Sequence, residues 1–125
     1  KRKADLKSIQ QALENYMQTN GKYPSATSGQ IKCNAGSDTT TITWGNALTC
    51  NSLTFMQQVP KDPVYQSTAG YYFSSCGGPV GNPVKYVIFA AIENTNDPDL
   101  TNLPAIPAGC TSPAPAGRNY WVTSP

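Results

Sequence analysis

The opening residues carry one helical stripe. Leu6, Ile9, Leu13, Tyr16 and Met17 follow steps of three, four, three and one, which places them within an arc of about 100° on a helix. Lys3, Lys7, Gln11, Glu14 and Gln18 fall on the opposite side. No Gly or Pro interrupts residues 1–20; Gly21 stands where a left-handed residue closes a helix, and Pro24 follows as a stop. The pattern predicts one helix over residues 1–20, about 30 Å long. Its opening, Lys1-Arg2-Lys3, lacks a Ser, Thr, Asp or Asn cap. Cations at a helix N-terminus also oppose the macrodipole. The expectation is that the helix continues upstream of Lys1 in the native protein.

The pattern changes after Pro24. Residues 24–46 are rich in turn formers, including Gly29, Gly36 and Gly45. Thr39 to Trp44 has β propensity and predicts a short strand. Leu48, Leu53, Phe55, Met56 and Val59 suggest a short helix near residues 52–58, capped by Asn51 or Ser52 and ended by Pro60. Val59-Pro60-Lys61-Asp62-Pro63 reads as a rigid turn, because each proline fixes φ and restricts the residue before it. Three strand signals follow: Gly70 to Ser75, Lys85 to Glu93, and Asn119 to Thr123. The turn at 77–83 joins the first two as a hairpin. The connection 94–118 holds Pro98, Pro104, Pro107, Pro113 and Pro115, which argue against regular structure. The fold class expected is α+β: one domain over 1–125, a long helix, an αβ-loop over 24–63, and a small antiparallel sheet of about three strands over 70–125.

Charge alters the functional picture more than composition does. The chain has 125 residues, a net charge of +2, and only 13% charged residues. Four of the nine basic residues lie at positions 1, 2, 3 and 7, and residues 8–125 hold five basic against six acidic. The basic character is therefore local, and no basic stripe marks the globular part for nucleic acid. Tyr71, Tyr72, Tyr120 and Trp121 offer stacking surfaces, but few cations accompany them and they read more simply as strand-pairing residues. A cluster of cations before a polar domain suits a membrane headgroup boundary or a filament neighbour. No apolar run reaches the roughly 20 residues that cross a bilayer.

The four cysteines, Cys33, Cys50, Cys76 and Cys110, form no CxxC pair, and there is no histidine. Zinc sites that use His are excluded, and the wide spacing does not suit a Cys₄ site. Two structural disulfides follow, in an oxidising compartment. Three connectivities are available. The sequential pairing is preferred, because Cys33–Cys50 and Cys76–Cys110 would each close an otherwise irregular segment. Enzymatic chemistry finds little support. The commonest general base is missing, Ser-His and Cys-His arrangements are unavailable, and no Gly-rich phosphate loop follows a strand.

The run Asp5-Leu6-Lys7-Ser8-Ile9-Gln10-Gln11-Ala12-Leu13-Glu14-Asn15-Tyr16, then Asn20-Gly21-Lys22-Tyr23-Pro24, then Val59-Pro60-Lys61-Asp62-Pro63, resembles type IV pilin-like proteins. The nearest resemblance is to the major pseudopilins of type II secretion and related bacterial pilins. It covers about a third of the chain. The resemblance implies a structural subunit that polymerises with its own copies into a helical filament. It implies a leader removed by a dedicated peptidase and an apolar half-helix upstream of Lys1. That half-helix anchors the subunit in the inner membrane, meets the assembly machinery there, and later packs in the filament core. The expected location is the bacterial cell envelope or an extracellular filament. Arg2, Lys3 and Lys7 become candidates for contacts with filament neighbours, against the alternative of a solvated face. The resemblance further implies calcium in the loop between the last strands, where Asn94, Asp97 and Asp99 offer hard oxygen ligands. No cofactor is otherwise required. Asp97 and Asp99 also suit a plain turn, and a disulfide from Cys110 is the alternative stabiliser of that loop. A minor or tip pilin that binds DNA or a surface ligand is the second functional reading.

Overall fold

The computed structural model describes residues 2–64 and 70–125; Lys1, the first residue of the expected helix, lies outside them. The helix α1 runs Arg2–Asn20. It ends as its sequence requires: Gly21 takes a φ of 73°, and its N–H donates to the Met17 carbonyl at 2.7 Å. The buried face comprises Asp5, Leu6, Ile9, Ala12, Leu13 and Tyr16. Met17 is only partly buried. The stripe is thus turned toward Asp5 and Ala12, away from the side where Met17 stands.

Residues 25–56 hold more strand than their pattern suggests. Strands β1 (Ser25–Thr27), β2 (Gln30–Lys32) and β3 (Thr41–Ile42) form an antiparallel sheet in that order. Only β3 falls within a predicted strand. The turn between β1 and β2 uses Ser28 at φ 49° and Gly29 at φ 81°. A Cβ on Gly29 would lie 2.5 Å from the Tyr72 ring, so both the backbone and the close approach require glycine there.

The expected short helix at 52–58 is absent. In its place, β4 (Leu48–Cys50) and β5 (Leu53–Met56) form an antiparallel hairpin. The residues expected to cap a helix make its turn: Asn51 and Ser52 have φ of 52° and 69°. Two positive central φ values are the mark of a two-residue type I′ turn, whose twist suits a hairpin. The Asn51 N–H donates to Asp38 Oδ2 at 2.8 Å. Across the strands the Thr49 and Thr54 hydroxyls meet at 2.9 Å. Period-2 pairing therefore wins over a helical stripe, and Leu53 points outward at 49% exposure.

Strands β6 (Tyr72–Cys76), β7 (Lys85–Ala90) and β8 (Tyr120–Thr123) form a second three-stranded antiparallel sheet with β7 at its centre. The β6–β7 hairpin runs from Tyr72 opposite Phe89 to Cys76 opposite Lys85. β7 is short of the predicted strand, because pairing with β8 stops at Ala90 opposite Tyr120. Tyr86, Val87, Ile88, Phe89 and Ala90 are all fully buried. Their alternation divides them between two apolar clusters. Tyr86, Ile88 and Ala90 join Leu6, Ile9, Leu13 and Tyr16 of α1 in the larger one. Val87 and Phe89 join Cys76 and Cys110, with Tyr72, Ile106, Ala114 and Trp121 beside them.

The second cluster explains the long connection. Residues 94–118 are irregular apart from a 3₁₀ turn at Pro98–Thr101. They return over Val87 and Phe89, and the Trp121 indole N–H donates to the Pro104 carbonyl at 2.8 Å. The disulfides are Cys33–Cys50 and Cys76–Cys110, across sequence separations of 17 and 34 residues. Restriction of the unfolded chain would make them worth about 3 and about 4 kcal/mol respectively. The architecture is α+β: one N-terminal helix, small antiparallel sheets and two disulfides.

Two truncations distinguish the hairpin from a helix at 52–58. Leu13→Ala removes a fully buried side chain and should cost about 2–5 kcal/mol in urea unfolding. Leu53→Ala should change stability by less than about 0.5 kcal/mol. A large loss at Leu53 would contradict its outward position.

Candidate functional site

The first turn of α1 meets two acidic segments, Asp62 and the stretch 93–99. Arg2 grips Asp62 through two N–H groups, Nε to Oδ2 at 3.0 Å and Nη2 to Oδ1 at 3.2 Å. Its Nη1 donates to Glu93 Oε1 at 3.0 Å. This forked geometry is the strong form of a carboxylate contact. The Arg2 and Asp62 side chains are only 11% and 1% exposed. Asp62 Oδ1 also accepts the Val64 N–H at 2.8 Å, and Pro60 and Pro63 stiffen the turn that presents it. The hydrogen bond to Asp62 raises the guanidinium pKa further above its ordinary value, with Glu93 adding to the effect and burial opposing it.

Lys3 makes a second, more exposed clasp. Its ammonium lies 2.6 Å from Asp97 Oδ2 and 2.7 Å from Asp99 Oδ2. These hydrogen bonds raise the Lys3 pKa. They also lower that of Asp97, which is helped by the Asp99 N–H at 2.9 Å from Asp97 Oδ1. Asn94 Oδ1 accepts the Asn96 N–H at 3.1 Å. Asp97 and Asp99 therefore come together, and the cation facing them is Lys3. Lys3 and backbone N–H groups thus engage Asp97 Oδ1 and Oδ2, Asp99 Oδ2 and Asn94 Oδ1, four of the oxygens that a calcium ion would use. Among the described residues, no three Cys, Asp or Glu side chains gather as a metal-binding group.

Lys7 stands apart from both clasps. It is exposed and, with Gln10, Gln11, Glu14, Asn15, Tyr86 and Pro125, lines an open groove of about 670 Å³. Gln10 Nε2 donates to the Thr123 carbonyl at 3.0 Å, and Glu14 accepts from the Tyr23 hydroxyl at 2.8 Å. These bonds tie the groove's floor to the C-terminal strand and to the residues after the helix. Of the three cations expected to reach filament neighbours, two are thus held by this chain's own carboxylates and one faces outward.

Sequence reasoning missed the acidic partners. Asp5 is buried and accepts from the Tyr71 hydroxyl at 2.7 Å. Burial, then the bond to Asp5, pushes the Tyr71 phenol well above its ordinary pKa. One signal existed: Asp5 shares a helix face with Ile9, Ala12 and Tyr16 at steps of four, three and four. Asp62 and Glu93 carry no such signal, since their pairing with Arg2 spans 60 and 91 residues. The aromatic side chains with faces suited to base stacking are committed elsewhere. Tyr71 is buried, Tyr72 and Trp121 ring the second cluster, and Tyr120 lies against the first.

Among the described residues, no helix is long and apolar enough to cross a membrane. Comparison of the chain with protein-family models, curated proteins and solved structures finds no match.

The two clasps differ in consequence. Arg2→Met strands a buried carboxylate and should cost about 3 kcal/mol, whereas Lys7→Met should change stability by less than about 0.5 kcal/mol. Equal effects in thermal or urea unfolding would contradict the assignment of Arg2 to the interior. The second clasp has a pH signature. A folded pKa below the unfolded one contributes stability that is present above the unfolded value, near pH 3.9, and lost as pH falls through the lower folded value. Carboxyl NMR should therefore show Asp97 titrating below the ordinary aspartate range. In Lys3→Met the midpoint should move up toward that range; an unmoved midpoint would refute the Lys3 contact.

Proposed function

We propose that this domain is the head of a type IV pilin-like subunit, in a type IV pilus or a type II secretion pseudopilus, and that it polymerises through a helix of which α1 is the outer half. The resemblance in residues 5–24 and 59–63 motivates the reading. The observation that carries it is the division of labour on α1. Leu6, Ile9, Leu13 and Tyr16 are buried with the residues of β7, while Lys7, Gln11 and Gln18 remain exposed along the other side. A helix with one face committed to its own head and another left polar suits a subunit whose neighbours lie alongside that helix.

The local structure refines which residues would meet those neighbours. Arg2 and Lys3 hold the start of the helix to Asp62, Glu93, Asp97 and Asp99. Their role in this reading is to fix the angle at which the helix leaves the head. Lys7 and the groove beside it then carry the direct contacts. The subunit in this reading is anchored in the inner membrane before assembly and resides in the bacterial cell envelope or an extracellular filament afterwards.

The gene provides the test. The codons ahead of Lys1 should encode a short leader followed by about 20 apolar residues continuous with α1. An upstream region of any other kind, such as a polar linker or a second globular domain, would overturn the proposal.

Calcium is a separate question within the same reading. Since Lys3 already faces both carboxylates, calcium should raise the melting temperature of Lys3→Gln more than that of the native chain, measured against a chelator. Equal responses would show that Lys3 does not occupy the cation position.

A further inference from the structure

A cavity of about 370 Å³ lies on the side of the head between Gln30 of β2, the Thr43-Trp44 segment, Lys61 and Arg118. Its volume is within the range of small-ligand sites. It is distinct from the helix groove and from both clasps, apart from Asp62, which lies at its edge. We propose that this cavity binds a uronate unit of an acidic polysaccharide, with Lys61 and Arg118 taking the carboxylate and Trp44 presenting an apolar edge to the sugar ring. The proposal goes beyond the filament reading and does not depend on it.

The electrostatics argue for an anion. Lys61 has no carboxylate partner among the described residues. Arg118 spends its Nε on the Gly70 carbonyl at 2.9 Å and its Nη1 on the Ala116 carbonyl at 3.0 Å, both neutral acceptors. Its guanidinium lies 5.3 Å from the centre of the Tyr72 ring, which holds it in place without neutralising it. Burial lowers the Arg118 pKa, yet a guanidinium stays charged throughout the physiological range. The carboxylate at the cavity's edge, Asp62, is already gripped by Arg2. The cavity therefore holds two cations without an opposing free charge of its own.

The remaining lining argues for a hydroxylated ring. Ser28, Gln30 and Thr43 line the cavity, and none of their side chains hydrogen-bonds within the described residues. They supply donors and acceptors at several points around the site. Trp44 is half-buried and is braced edge-on by Tyr71 at 5.8 Å between ring centres, so its indole is held rather than free to turn. Alternating hydroxyls and C–H faces are what a sugar ring presents to such a surface.

Calorimetric titration of the intact 125-residue domain with trigalacturonic acid, its methyl ester and a nucleoside monophosphate tests the assignment. The acid should bind, with shifts at the Trp44 indole N–H in NMR, and the ester should bind at least about tenfold more weakly. Lys61→Gln should weaken the acid about fivefold or more while leaving the melting temperature unchanged, because Lys61 is exposed. Arg118→Gln should weaken it too. Lys61→Gln is the decisive variant, since Arg118 also braces the backbone at Gly70. Equal binding of acid and ester, preference for the nucleotide, binding unaffected by Lys61→Gln, or no binding of the acid would each overturn the proposal. None of these outcomes bears on filament formation.

Discussion

The structure depends on a strand that is apolar on both faces. From Tyr86 to Ala90 every residue of β7 is fully buried, and alternation sends Tyr86, Ile88 and Ala90 one way and Val87 and Phe89 the other. A sheet of three strands needs cover on each side before such a strand is stable. On one side lies the larger cluster, which also holds the stripe of α1. On the other, the chain uses the proline-rich connection in place of a second helix. That connection has few backbone hydrogen bonds of its own, which is why the Cys76–Cys110 bridge and the Trp121–Pro104 bond matter. A disulfide and an indole hold in place what regular structure does not.

The same economy governs the helix start. A helix opening with cations is electrostatically unfavourable on its own. Here Arg2 and Lys3 are neutralised from outside the helix, by Asp62, Glu93, Asp97 and Asp99. Two segments far apart in sequence, the turn at 59–63 and residues 93–99, converge on one turn of the helix. The Asp62 pair is nearly buried and the Lys3 clasp is not, so the first acts as a fixed pin and the second as an adjustable one. In the filament reading, that pin would set how the rest of the domain sits on its helix.

Some of this is legible in the sequence, and the rest is hidden for physical reasons. The helix is readable because its apolar stripe and Gly21 are local signals, and the β6–β8 strands because they are aromatic, β-branched and bounded by turn residues. The sequential disulfides follow from which segments lack other support. The 48–56 hairpin escapes sequence reasoning because Leu53, Phe55 and Met56 fit a helical stripe as well as a strand over so short a run, and Asn51-Ser52 serves equally as a helix cap or a turn. Its decisive feature is positive φ at both residues, which composition does not reveal. The ion pairs are invisible for a different reason: Arg2 and Asp62 meet only after the whole fold closes. Arg2 and Lys3 thus resemble surface cations in the sequence, although their own chain supplies their partners. The cavity beside Trp44 is equally hidden, since its walls come from five separate stretches of the chain.

In the filament reading, the function of this domain lies in the continuity of α1 with the filament core. Electron microscopy of cells expressing the complete gene tests that claim most directly. The expected result is helical filaments that carry this domain on their surface, as detected by domain-specific antibody labelling. Abundant expression of the folded domain with no labelled filament, under conditions where the assembly machinery is present, would contradict it.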